Sequence, residues 1–241
     1  MGQRAADVNL QVIMSTNDPR SDQPLSRRRF LAMTGSGLAL VTAAGCSLGP
    51  ASSSDSSRDP GADDGWAGEL VEPGLEKPDV TLTDMFGKPF SIRDQSDGKF
   101  AFLFFGYTFC PDVCPIYLNT LARAVETIGT GPGSNVMVMF VGVDVARDTP
   151  EQLQRYLGRI SSSFIGLTGP EADIAEANRQ MFQPPIVIGE PDANGEYEVG
   201  HGKKAFPFGP DNLAHRIYPA DDVRQQEWVR DLPKLAKGEY R

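Results

Sequence analysis

Phe105-Gly106-Tyr107-Thr108-Phe109-Cys110-Pro111-Asp112-Val113-Cys114-Pro115 is the stretch whose reading decides the fold. Just before it, Phe100 to Phe105 is apolar and uncharged, the pattern of a strand buried on both faces of a parallel sheet. Just after it, Leu118, Leu121, Ala122, Val125 and Ile128 recur at steps of three and four, one face of a helix. The two cysteines therefore stand where a central strand ends and a helix begins. Open α/β sheets carry their chemistry at that edge. A helix start turns backbone N–H groups and a positive dipole end toward the loop, which favours a thiolate. Pro115 suits the first helical position, where its missing N–H costs nothing, and each cysteine precedes a proline that biases it toward extended backbone.

The pattern outside this stretch repeats the same logic. Val80, Leu82, Phe90 and Ile92 alternate with polar residues around Asp84-Met85-Phe86-Gly87, an early β-hairpin. Val136 to Val143 is a second apolar strand. Behind it, Thr149 caps a helix with Pro150 at its first position and Gln152 closing the capping box. Phe164 to Leu167 predicts a short strand and Glu171 to Phe182 a crossover helix. Ile186 to Ile188 and Tyr197 to Val199 flank Asn194-Gly195, a hairpin turn. Ala205 to Phe208 and Leu213 to Tyr218 predict a further hairpin. Asp221 or Asp222 caps a last helical segment that Pro233 interrupts or restarts. This order predicts an α/β, thioredoxin-like fold with a mixed central sheet and additional β-hairpins, over residues 72–241.

The 241 residues include 32 acidic and 23 basic side chains, a formal charge of −9. That balance argues against a nucleic-acid partner, which needs a basic stripe. Ser26-Arg27-Arg28-Arg29-Phe30-Leu31 looks like a twin-arginine export signal, and the uncharged run Phe30 to Ala44 suits a signal h-region better than a membrane span. Ala43-Ala44-Gly45-Cys46 resembles a bacterial lipoprotein cleavage box, with Ala43 where leucine is usual. Residues 1–45 then read as a signal peptide and Cys46 as a lipidation site. The alternative is ordinary cleavage that leaves Cys46 a free thiol. Removal of residues 1–45 takes away five arginines and three aspartates and leaves −11. Residues 46–71, largely Ser, Asp, Gly, Pro and Ala, cannot bury a core and read as a flexible tether reaching about 25–30 Å. The expected location is the extracytoplasmic face of the cell membrane, held by the lipid.

Cys110 and Cys114, separated by three residues, admit three readings. An exported pair can be a structural disulfide. The helix start can lower one thiol for redox work. Two thiolates also suit a soft metal, and with one histidine they make a three-coordinate copper site. A closed zinc site needs four ligands and an iron–sulfur cluster more cysteines than the chain offers. Met137 and Met139 lie on a central strand and read as packing. Asp144 and Asp148 stand where they can orient the site or simply cap, and Asp112 hydrogen-bonds the loop.

The first stretch resembles the signature of the Sco/SenC family. Val143-Asp144-Val145-Ala146-Arg147-Asp148-Thr149 resembles that family's second motif, and Gly166-Leu167-Thr168-Gly169 a third. Tyr197-Glu198-Val199-Gly200-His201 resembles the segment bearing the family's histidine, with Phe208-Gly209-Pro210-Asp211 following. The resemblance covers residues 78 to 235. It implies a thioredoxin-like domain that binds copper through Cys110, Cys114 and His201 and supports assembly of the copper A centre of cytochrome c oxidase. The implied partners are the oxidase subunit carrying that centre and a thiol reductase that keeps both cysteines reduced. A thiol–disulfide oxidoreductase acting on the oxidase cysteines through Cys110 and Cys114 remains open beside the copper chaperone. One departure stands out: Gly200 occupies the position before the histidine where an acidic residue is common. Of the two histidines, His215 alternates with Leu213 and Ile217 and reads as a packing residue. His201, between Gly200 and Gly202, reads as a ligand on a mobile segment with little for its ring to pack against.

Overall fold

A computed structural model describes residues 64–241. The export signal, Cys46 and most of the tether fall outside the described residues. Ten strands and five helices follow in order: β1 Glu69–Glu76, β2 Thr81–Asp84, β3 Pro89–Ser91, α1 Ile92–Gln95, β4 Ala101–Gly106, α2 Val113–Ile128, β5 Met137–Gly142, α3 Pro150–Gly158, β6 Ile165–Thr168, α4 Glu171–Gln180, β7 Val187–Ile188, β8 Val199–Gly200, β9 Lys204–Phe208, β10 Leu213–Pro219 and α5 Gln225–Ala236. Eight strands form one mixed sheet in the order β1-β10-β9-β4-β5-β6-β2-β3, and β7 and β8 pair apart from it. This is the expected mixed α/β, thioredoxin-like architecture. Among the described residues no helix is long and apolar enough to cross a membrane.

The centre is β4, parallel to β5 and antiparallel to β9. Its side chains alternate between two cores, as a period of two requires. Phe102 and Phe104 join Leu118, Leu121, Leu153, Trp228 and Leu232 from α2, α3 and α5. Leu103 and Phe105 join Ile92, Leu167, Ile174 and Ala177 on the other face. Met139 is buried in that second core and Met137 packs at its border, which agrees with a packing role.

Three connections therefore emerge at one sheet edge. Gly106 pairs in register with Gly142, so the chain leaves β4 and β5 side by side, and Val143 N–H donates to the Gly106 carbonyl at 2.8 Å. The antiparallel β9 enters the sheet at that same edge, because Ala205 pairs with Phe104. Residues 107–112, 143–149 and 201–203 are neighbours as a result.

The boundaries at the two ends of the domain differ from the sequence expectation. The folded part begins before residue 72: Trp66 and Ala67 are buried and β1 starts at Glu69. The buried Arg216 guanidinium lies 4.4 Å from the Trp66 ring and donates to the Gly68 carbonyl and to Asp64, while the Ala67 N–H donates to Asp231. Local composition there is that of a linker; distant partners order it. The last helix is capped by neither Asp221 nor Asp222. It starts after Arg224, whose N–H donates to the Glu227 carboxylate at 2.8 Å, and it runs through Pro233 with Trp228, Leu232 and Leu235 buried. Packing against the core outweighs the lost hydrogen bond.

Candidate functional site

The helix α2 opens two residues earlier than the prolines imply. Val113 and Cys114 are already helical, and Pro115 occupies the third position. The first turn has no intrahelical use for its N–H groups, so proline is tolerated there as well as at the first position. Cys114 is buried and Cys110 half-buried. Gly106 is required beneath them: a Cβ there would stand 2.8 Å from Cys114 Sγ and 2.7 Å from the Phe140 ring.

Both cysteines are free thiols in contact with one another. The hydrogen bond from Cys114, helped by backbone N–H groups of Cys114 and Asp112, lowers Cys110 to about 5 against the opposing effect of burial. The same hydrogen bond and burial push Cys114 far up. One thiolate sits on one buried thiol. Asp112 is exposed and its side chain caps nothing; its contribution is the backbone N–H.

His201 comes from the segment between β8 and β9. Burial lowers its pKa below the usual imidazole value. Its Nδ1 lies 2.8 Å from the Gly202 carbonyl. A carbonyl only accepts, so Nδ1 carries the hydrogen and Nε2 keeps its lone pair. The orienting acceptor absent at Gly200 is thus supplied by the backbone two residues on. The ring packs edge-on to Tyr107, with centroids 5.8 Å apart, so it has more to lean on than its glycine neighbours imply. Gly202 is small because Gln183 lies directly against it. His201 is near enough to Cys110 that a protonated ring would favour the Cys110 thiolate. Even so, among the described residues no three His, Cys, Asp or Glu side chains converge closely enough to hold one ion. The cysteines are together; the histidine stands apart.

Around this triad lies a scaffold that only Asp144 and Asp148 hinted at. Buried Asp148 accepts from the Thr108 N–H at 2.9 Å, from the Thr108 hydroxyl at 2.8 Å and from the Asp144 N–H at 3.1 Å, tying the cysteine loop to the loop after β5. Gln152 does not close a capping box. Its amide donates to the Thr108 hydroxyl at 3.1 Å, although Thr149 does cap the helix. Buried Asp144 pairs with Arg147 and accepts from the Tyr197 hydroxyl at 3.0 Å.

The SCO1/SenC family model matches residues 71–237. The chain belongs to the SCO1/SenC family. It is 31% identical over 175 residues to the mitochondrial SCO2 homolog of Bos taurus, covering 71% of this chain and 64% of that protein. The crystal structure of Arabidopsis thaliana ScoI with copper bound superposes with a TM-score of 0.62 at 27% identity, over 68% of this chain and 99% of that one. The solution structure of apo Sco1 from Thermus thermophilus matches at 0.61 and 32% identity, over 70% and 96%.

In this SCO1/SenC chain, His215 behaves as the sequence implies. It bonds Asp211 through Nε2 at 2.8 Å and stacks on Tyr240 with centroids 4.1 Å apart, on strand β10. Sequence reading passed over Tyr107, Thr108, Arg147, Tyr197 and Gln183, because each acts through a partner distant in sequence. A first test concerns the SCO1/SenC cysteines themselves. Alkylation of Cys110 by iodoacetamide is expected to stay near its plateau down to about pH 6 and to halve near pH 5, with Cys114 unreactive. Cys114→Ala should move that midpoint upward, toward an ordinary thiol. A Cys110 midpoint above 8 in the wild-type protein would contradict the hydrogen-bonded thiolate.

Proposed function

We propose that the protein binds copper through Cys110, Cys114 and His201 and delivers it to the copper A site of a cytochrome c oxidase subunit. The observation that carries this reading is the contact pair of thiols, one held as a thiolate, at the same sheet edge as a neutral imidazole that stands apart from them with Nε2 free. Two soft sulfurs and one imidazole suit Cu(I), and a half-buried site leaves the metal within reach of an acceptor. Copper here is cargo. Loading requires both cysteines reduced, so a thiol reductase is part of the proposal. Anchoring of the domain at the extracytoplasmic face of the cell membrane through lipid on Cys46 belongs to the same proposal.

The second reading is a thiol–disulfide oxidoreductase. The lowered Cys110 and the buried Cys114 beneath it are the pairing that reaction uses, attack by the first and resolution by the second. His201 distinguishes the two, since a redox pair does not need it.

His201→Ala is expected to lower copper affinity on the order of 100-fold, ~2.8 kcal/mol, and to change the Cu(II) spectrum without shifting the melting temperature. His215→Ala should leave copper binding alone and destabilise the fold by about 1–2 kcal/mol, through the lost Asp211 bond and Tyr240 stack. Paired titrations and melts check both. The reverse pattern would transfer the ligand role to His215. Wild-type reduced protein that ignores copper yet reduces a disulfide peptide would establish the second reading instead.

A further inference from the structure

The segment carrying His201 is weakly built. Its strands β7 and β8 are two residues each and do not join the main sheet. Val187 and Ile188 are exposed. A cavity of about 490 Å³, lined by Val143, Val145, Ile174, Ile186, Ile188 and Tyr197 among others, separates this hairpin from α4. Gly202 is held against Gln183 by shape, but the Gln183 amide makes no hydrogen bond. Local packing of this kind opens easily.

One side chain ties the hairpin to the rest of the site. Arg147 leaves the loop after β5 and lays its guanidinium 3.6 Å from the Tyr197 ring centroid, 4.8 Å from that of Phe109 and 6.0 Å from that of Tyr107. Its Nη2 donates to the Tyr197 carbonyl at 3.0 Å, and Nη1 reaches Glu196 at 3.5 Å. Its Nε pairs with buried Asp144, whose second oxygen accepts from the Tyr197 hydroxyl at 3.0 Å. Phe109 adjoins Cys110, and Tyr107 carries the edge contact to His201. Arg147 thus touches the cysteine loop, the acidic loop and the histidine hairpin at once. A planar fork that stacks and donates in two directions does this; a lysine does not.

We propose that Arg147 is the positioning residue that sets where the His201 hairpin stands relative to Cys110 and Cys114. It contacts no proposed ligand atom and acts through Tyr197. The proposal rests on the copper reading for its consequence, while the clamp itself is testable without metal. The test uses Arg147→Lys, which keeps a charge for Asp144, together with Arg147→Ala and the double variant Arg147→Ala/His201→Ala.

In the metal-free reduced protein, amide hydrogen exchange across residues 187–203 should quicken at least about tenfold in both single variants, with β4 and β5 unchanged. Copper affinity should fall about tenfold in Arg147→Lys, within the roughly 10- to 100-fold range for residues that orient a metal ligand. The nitrogen signature of the Cu(II) spectrum should weaken with it. The double variant should bind as His201→Ala does alone. Unchanged hairpin exchange overturns the clamp, whatever the copper result. A further drop from His201→Ala to the double variant also overturns it, because Arg147 would then act on something other than the histidine. Should the wild-type protein not take copper, the function proposal fails while the exchange result still judges the clamp. A melt of Arg147→Ala that shows global unfolding leaves Arg147→Lys to decide.

Discussion

Cys114→Ser is expected to lower copper affinity by on the order of 10⁴-fold, ~5.5 kcal/mol, and to leave the fold in place. Cys114 is buried at the start of α2, with its Sγ against the space a Cβ on Gly106 would fill. Serine is smaller than cysteine and still donates toward Cys110, so the loop keeps its geometry and Cys110 keeps a hydrogen-bonded thiolate. What is lost is the second soft sulfur, for which a hydroxyl is no substitute with Cu(I). Cys110→Ser should lose as much affinity, because either change leaves one thiolate. Competition titration with a chromogenic Cu(I) chelator, under reducing conditions, measures both. Retention of wild-type affinity by either variant would remove that cysteine from the site. The alkylation profile provides the internal control, since Cys110 in Cys114→Ser should still react at mildly acidic pH.

Asp148→Ala should destabilise the protein by about 3–5 kcal/mol and disorder the cysteine loop. Three donors converge on this carboxylate: the Thr108 N–H, the Thr108 hydroxyl and the Asp144 N–H. All lie in a buried region, and an unsatisfied buried donor costs about 1–3 kcal/mol. For a domain of this size that corresponds to a fall of about 10 °C in melting temperature. The pH dependence is a sharper readout. Burial raises the Asp148 carboxyl to about 6, although the hydrogen bonds from Thr108 and Asp144 pull the other way. The folded protein therefore holds the proton more tightly than the unfolded chain does. The stabilisation from that proton is fully present below about pH 4 and is lost as the pH rises through about 6. Asp148→Asn cannot titrate, so its stability should lose this decline across pH 4 to 6 relative to wild type, whatever its absolute level. Denaturant melts at closely spaced pH values check it. An unaltered slope in Asp148→Asn would show that the carboxyl is not raised.

Both predictions concern residues visible in the sequence, but for different reasons. Cys110 and Cys114 declare themselves, because a strand-to-helix edge is written locally in an apolar run, a turn and a helical period. The same holds for the central strands, for the helices Glu171–Gln180 and Pro150–Gly158, and for the hairpin that precedes His201. Each rests on side-chain periodicity within about twenty residues. His201 itself needed the family motif as well as its glycine neighbours.

The tertiary structure decided what depends on partners far apart in the chain. Trp66 and Ala67 lie in a stretch with the composition of a linker, yet they are ordered by Arg216 and Asp231. The glycines around His201 read as freedom, whereas Gly202 is small because Gln183 occupies the space a side chain would need. Arg147 reads as one basic residue in an acidic loop; only the in-register exit of β4 and β5 at Gly106 and Gly142 brings it over Phe109 and Tyr197. Local periodicity and spacing encode the central strands, the three main crossover helices and the thiol pair. The tautomer of His201 is set by its neighbour Gly202, but the Arg147 clamp on Tyr197 spans 50 residues and the Asp148 bond to Thr108 spans 40, and only folding creates such contacts.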